Sequence, residues 1–255
     1  TIEVLKTAVD KGALCINYVE FSSFILNEKN IINGAVCKDA FAENELKIKA
    51  KKIINACGPW VDVLRKTDKS LSKKRLHLTK GIHIVLPNEK LPIRQAVYFD
   101  VKDGRMIFAI PRGKKVYIGT TDTNYTSDTN APYATKEDVI YLLNAANHMF
   151  PTVQLKMEDV ESSWAGLRPL IHEDGKSPSD LSRKDEIFIS PSNLTSIAGG
   201  KLTGFRKMAE RSVNVVCKQL KIEEGREFPK CNTEFIKLSG GDLENYPSDY
   251  ARNLQ

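Results

Sequence analysis

Apolar positions along the chain switch between helical and alternating spacing, and the switches mark the elements. Ile2, Leu5, Ala8 and Val9 recur at helical spacing with Gly12 as a C-cap, which predicts a helix over 1–12. Leu14 to Leu26 is rich in Ile, Val, Tyr and Phe, as strands are. Lys29-Asn30 turns it into a second strand, Ile31 to Lys38, and Glu45 to Ile48 reads as a third, completing a meander. Ile53 and Ile54 suit a buried strand end that Gly58-Pro59 breaks, with Pro59 opening a short helix through Trp60 to Leu64. Asp68 to Arg75 is charged and irregular and reads as a linker. The texture then changes. Gly81 to Leu86, Gln95 to Asp100, Arg105 to Pro111 and Val116 to Thr121 are strand candidates, and Asp103-Gly104 and Arg112-Gly113 are hairpin signals, so an antiparallel sheet is expected. Thr135 caps a helix reaching Phe150, with Glu137 and Asp138 in its first turn and Val139, Leu142, Leu143, Ala146 and Met149 on its apolar face. Val160 to Leu170 is a strand ending Gly-Leu-Arg-Pro, His172 to Arg183 a polar loop, and Glu186 to Ser190 another strand.

The chain is organised around the stretch Thr195 to Glu210. Leu194, Ile197 and Ala198 suit a buried strand end, Gly199 and Gly200 allow a sharp turn, and from about Leu202 the spacing becomes helical through Phe205, Met208, Ala209, Ser212, Val213, Val216, Cys217 and Leu220. A glycine turn that opens a helix presents unpaired N–H groups and the positive end of the helix dipole, a seat for negative charge, to which Lys201 adds a full positive charge. The same pattern also serves as an ordinary strand-to-helix connection.

Composition narrows the class. With 255 residues, 41% hydrophobic and 27% charged, the chain can bury one large core or two smaller ones. No apolar run approaches the roughly 20 residues that cross a bilayer. The five cysteines are scattered, with no Cys-x-x-Cys pair, which points to a reducing compartment and away from a disulfide frame or a zinc site. The net charge of +6 permits an anionic substrate or membrane surface without requiring either, and no aromatic-basic array suggests nucleic acid. A start without Met, inside a periodic element and with no secretory signal, suggests a piece of a longer protein.

Ser/His/Asp and Cys/His signatures, Gly-x-Gly-x-x-Gly and Walker loops are absent. What remains is a set of cationic and imidazole groups near strand ends and glycines: His83, Arg168, Arg183 and Lys201. His83 alternates with Ile82 and Ile84 and so faces opposite to them, open to a structural or a proton-transfer role. Arg168, between a glycine and a proline, is aimed by its backbone, as a phosphate or carboxylate clamp or an ion pair requires. Arg183 also reads as a solvated loop charge, Thr120-Thr121-Asp122 as turn chemistry, and Trp60 as core.

Taken in order, Ile53-Ile-Asn-Ala-Cys-Gly-Pro-Trp60, Lys80-Gly-Ile-His83, Gly119-Thr-Thr-Asp122, Ala165-Gly-Leu-Arg-Pro-Leu170, Gly199-Gly-Lys-Leu-Thr203 and Arg206-Lys-Met-Ala209 resemble the FAD-dependent glycerol-3-phosphate dehydrogenases and the related α-glycerophosphate oxidases over roughly residues 1–220. The resemblance implies an α/β (α+β) flavoprotein of the D-amino-acid oxidase and glycine oxidase type. Residues 1–76 and 191–221 would be the distal parts of the FAD-binding domain, 77–190 a mixed-sheet substrate domain, and 222–255 the start of a C-terminal helical domain. Ala56, Gly58 and Trp60 would lie beside FAD, and Gly199, Gly200, Leu202 and Thr203 would face its pyrimidine edge. Arg168, Arg183 and Lys201 would hold the phosphorylated substrate, and His83 would take the hydroxyl proton, making His83, Arg168 and Lys201 the catalytic set. The family's N-terminal dinucleotide-binding segment is missing, so the isolated chain is expected to be an inactive fragment. The resemblance further implies a cytoplasmic enzyme, at the inner face of the membrane through peripheral contact, as a homodimer, passing electrons to quinone or oxygen. Two other readings stay open: an amine or amino-acid oxidase of the same fold, and a non-catalytic binding domain.

Overall fold

The computed structural model describes residues 1–42, 44–173, 184–238 and 241. In chain order these form α1 (Ile2–Asp10), β1 (Val19–Leu26), β2 (Ile32–Asp39), β3 (Glu45–Lys49), β4 (Ile54–Asn55), α2 (Val61–Thr67), β5 (Lys74–Pro87), β6 (Val97–Asp100), β7 (Met106–Arg112), β8 (Lys115–Gly119), β9 (Thr123–Asn124), α3 (Lys136–Met149), β10 (Ser162–Glu173), β11 (Asp185–Ile189), β12 (Thr195–Gly199) and α4 (Phe205–Glu224). The chain divides into two compact units.

One unit comprises Thr1–Ile54, Phe188–Thr195 and Leu202–Gln255. Its β1, β2 and β3 form the expected antiparallel meander. The first strand begins at Val19, because Tyr18 adopts a left-handed φ of 55° that interrupts extended backbone. The apolar stripe of α1 is not buried: Ile2, Leu5 and Val9 are exposed. On α4 only Ser212 and Leu220 are buried. Instead Val4 and Ala8 of α1 and Phe205, Ala209 and Val213 of α4 line an open apolar cavity of about 540 Å³, closed on another side by Ile236 and Leu238. The helix after the glycine turn begins as a 3-10 turn, Leu202–Gly204, and becomes α-helical at Phe205.

The other unit comprises Asn55–Ile187 and Ser196–Lys201. Its main sheet runs β10-β5-β8-β7-β6, with β9 also paired to β5, and its ladders are antiparallel, as the hairpin signals predict. The strand period of two divides β5 between faces. Ile82, Ile84 and Leu86 point to one side, where Ile107, Ala109, Val116 and Ile118 join them under Val139, Leu142, Leu143 and Ala146 of α3. Gly81 and His83 point to the other side. Thr135 caps α3 as expected, its hydroxyl accepting from Asp138 N while Asp138 Oδ2 accepts from Thr135 N.

Three expectations change here. The supposed linker ends early, since β5 already starts at Lys74. His172 is strand, not loop, because β10 runs on to Glu173, pairing His172 with Arg75 and Glu173 with Lys74. Met149 is exposed at the last turn of α3, beyond the reach of the core. Arg183 lies outside the described residues, as do, apart from Gly241, the stretch Ser239-Gly-Gly-Asp242, whose composition predicts a loop, and the residues after it, where the pattern predicts a weak helix.

Candidate functional site

The register of β5 against its neighbours builds the site. His83 pairs with Trp164 on β10 and with Gly119 on β8, and Gly119 pairs with Phe108 on β7. Four strands therefore contribute one row, Trp164, His83, Gly119 and Phe108, on the face away from α3. The next row down β5 pairs Gly81 with Gly166, and the next pairs Thr79 with Arg168. Glycine inside a strand usually marks a close approach, and here each glycine seats a side chain or leaves space. A Cβ at Gly119 would come within 2.7 Å of His83 Nε2, and a Cβ at Gly81 within 2.6 Å of Arg168 Cζ, so the imidazole and the guanidinium lie over these two residues. Beside them Gly166 faces open space.

Arg168 is held from one side by a turn of three residues. Its Nη2 donates to Thr120 Oγ1 at 2.9 Å, and its Nη1 donates to Thr121 O at 3.1 Å and Asp122 Oδ1 at 3.3 Å. That turn exists because the β5–β8 ladder stops at His83–Gly119 and pairing resumes only at Lys80–Thr123. The buried Thr121 hydroxyl fills the gap, accepting from Ile82 N at 3.0 Å and donating to Lys80 O at 3.4 Å. Under the sheet Lys80 Nζ donates to Asp138 Oδ2 at 2.5 Å and Tyr133 O at 3.2 Å, a buried pair that ties β5 to the first turn of α3. Burial pushes the Asp138 carboxyl up, but the Lys80 and Thr135 hydrogen bonds outweigh it and hold it below the usual carboxylate range.

His83 is held differently. Its ring stacks on Trp164 at 4.8 Å between centroids and 9° between planes, and meets Phe108 at 5.5 Å. Nδ1 is buried with no hydrogen-bond partner among the described residues. Burial, and then the Arg168 charge, lower its pKa, so the ring is neutral near pH 7. A neutral imidazole beside a fixed guanidinium can accept a proton from a group whose negative charge the guanidinium binds.

The remaining predicted residues come from other segments of the chain. Asn55, buried, donates from Nδ2 to Val61 O at 2.9 Å and to Ser196 Oγ at 3.1 Å, which ties the Ala56–Gly58 turn to β12. Gly58 has φ 56° and faces open space. Trp60 is half exposed, with Nε1 donating to Asn130 Oδ1 at 2.8 Å. Gly199 and Gly200 have φ of 75° and 79°, and a Cβ at Gly199 would come within 2.6 Å of Lys184 O. Lys201, next in the chain, is exposed. Leu202 and Thr203 are exposed and belong to the other unit. Sequence reasoning did not assign Trp164, the Thr120–Asp122 clamp or the Lys80–Asp138 pair. The signal available was glycine within strand patterns at positions 81, 119 and 166.

This fold recurs in known proteins. The family model described as FAD dependent oxidoreductase matches residues 1–205. An aerobic glycerol-3-phosphate dehydrogenase of Staphylococcus aureus (strain USA300) is 52% identical over 244 residues, covering 95% of this chain and 44% of its own length. The chain thus spans less than half the length of that curated relative. A solved structure of glycerol-3-phosphate dehydrogenase from Bacillus halodurans complexed with FAD superposes with a TM-score of 0.87 at 51% identity, over 99% of this chain and 48% of that one. Glycine oxidase from Bacillus cereus ATCC 14579 shares the fold, with a TM-score of 0.56 at 18% identity over 82% of this chain and 54% of that one.

Proposed function

Because the chain belongs to the family of FAD-dependent oxidoreductases, we propose that it serves the oxidation of sn-glycerol 3-phosphate to dihydroxyacetone phosphate with FAD as the hydride acceptor. The observation that carries this reading is that His83 and Arg168 share one glycine-lined sheet face, close enough for the Arg168 charge to act on the imidazole. The relatives named as glycerol-3-phosphate dehydrogenases support it. In the reaction the O–H bond of the C2 hydroxyl and the C2–H bond break, and the retained C2–O bond becomes C=O. His83 receives the proton at Nε2, since Nδ1 is closed off. Arg168, whose guanidinium is already fixed by Thr120, Thr121 and Asp122, holds the phosphate end, and Lys201 and Arg183 would add further positive charge for the substrate.

The residues present fit a flavin. Gly58 and Gly166 leave open space, and the left-handed Gly199 and Gly200 allow backbone to approach a ring edge closely. Bound there, FAD would supply the two-electron acceptor. Ala56, Gly58 and Trp60 would border it, and Gly199, Gly200, Leu202 and Thr203 would meet its pyrimidine edge. Reoxidation by quinone or oxygen would close the cycle, in the cytoplasm and at the inner face of the membrane. Among the described residues no helix is long and apolar enough to cross a membrane.

A set of cations favours a phosphate ester over an amine, because an amine needs no pair of positive charges. The test is anaerobic bleaching of the flavin in the complete enzyme by glycerol 3-phosphate, compared with glycerol, glycine and sarcosine. Bleaching by glycine and not by the phosphate ester would reject the proposal.

A further inference from the structure

We propose that Trp164 is a positioning residue for His83: its indole, stacked on the imidazole across the β5–β10 ladder, sets the plane in which Nε2 meets the substrate hydroxyl. The proposal rests on the reading of His83 as the base. A catalytic histidine is ordinarily oriented by a hydrogen bond at its second nitrogen. Here the second nitrogen, Nδ1, is buried and unpartnered among the described residues, so no such bond fixes the ring.

Aromatic contact takes that place. Gly119 leaves a vacancy in the row, the imidazole lies across it, and Trp164 closes one side with nearly parallel planes 9° apart. Phe108 stands on the other side at 5.5 Å, tilted by 41°. Trp164 is itself braced by Tyr117, edge-on at 5.4 Å and 88°, from the same face of β8. This arrangement is not core packing: Trp164 is 44% exposed and takes no part in the cluster beneath α3. A stacked flat partner opposes tilting of the imidazole out of that plane, which an aliphatic side chain of similar bulk does less.

The test uses the complete holoenzyme. Trp164→Leu is expected to slow flavin reduction by glycerol 3-phosphate about tenfold, with the substrate Kd within about twofold of wild type, and Trp164→Phe to restore most of the rate. In enzyme labelled at histidine carbons, the His83 resonance is identified by its loss in His83→Asn. It is expected upfield in wild type through the indole ring current, and moved toward its ordinary position in Trp164→Leu. If Trp164→Leu does not fold, Trp164→Met carries the same comparison. A rate within twofold of wild type, or an unmoved His83 resonance, overturns the proposal. Equal losses in the Leu and Phe variants with a weakened Kd overturn it too, assigning Trp164 to substrate contact or to the fold. If glycerol 3-phosphate fails to reduce the wild-type flavin, the reading of the reaction falls, and the His83 resonance still decides whether Trp164 orients the ring.

Discussion

Gly119→Ala offers the sharpest test of the site, because the added atom is small and its collision is with the imidazole. An alanine Cβ would lie 2.7 Å from His83 Nε2 and 2.9 Å from Cγ. Carbon normally stands about 3.5–4.0 Å from such atoms, so the ring must retreat by about 1 Å. It cannot do so freely, since Trp164 already stacks on it at 4.8 Å. The backbone is not the obstacle, because Gly119 is absent from the glycines with positive φ. A misplacement of about 1 Å costs on the order of 10²-fold in rate. We therefore expect Gly119→Ala to lower the rate constant of flavin reduction, measured by stopped flow in the complete enzyme, by about 10²-fold with flavin content unchanged. If the loss acts through His83, combining it with His83→Asn should cost little beyond His83→Asn alone, which by itself should cost about 10²–10⁴-fold. A Gly119→Ala rate within threefold of wild type, or full additivity in the double variant, would refute the placement of His83 as base.

Four other outcomes follow from the same geometry. Arg168→Lys keeps the charge and loses the fork held by Thr120, Thr121 and Asp122, so the substrate Kd, read from flavin absorbance, should rise by at least about tenfold; an unchanged Kd removes Arg168 from the pocket. Thr121→Val leaves the buried Ile82 N–H without its acceptor and should cost about 1–3 kcal/mol in urea denaturation. Asp138→Asn strands the buried Lys80 ammonium and should cost about 3–5 kcal/mol in the same assay; a loss below about 1 kcal/mol would show that water reaches the pair. Burial and the Arg168 charge lower the His83 pKa, so the folded state takes its proton at lower pH than the unfolded chain. Its contribution to stability is then present above about pH 6.5 and lost as pH falls below it. The acid limb of kcat/KM should lie below that value, and Arg168→Gln should move the limb upward; a limb that stays in place argues against the coupling.

Much of the architecture was legible in local pattern. The meander over 19–49, the α3 cap at Thr135 and the hairpins after Asp103 and Arg112 depend on neighbours in sequence, where propensity and turn chemistry act directly. His83 and Arg168 could be singled out as residue types near glycine and proline, and the ordered motifs pointed to flavin chemistry. The exposed stripe on α1 shows the limit: periodicity states which residues share a face and not what, if anything, covers it.

The sequence by itself determined the strand alternation that turns His83 away from Ile82 and Ile84, the glycines that could admit a close approach, and the family to which the motifs belong. Only the tertiary structure decided that Trp164, His83, Gly119 and Phe108 form one row and that Thr120 to Asp122 clamp Arg168. Those facts depend on register between strands far apart in the chain. A slip of one residue in any ladder would send the same side chains to the opposite face, and nothing local to each strand records which register the assembled core selects.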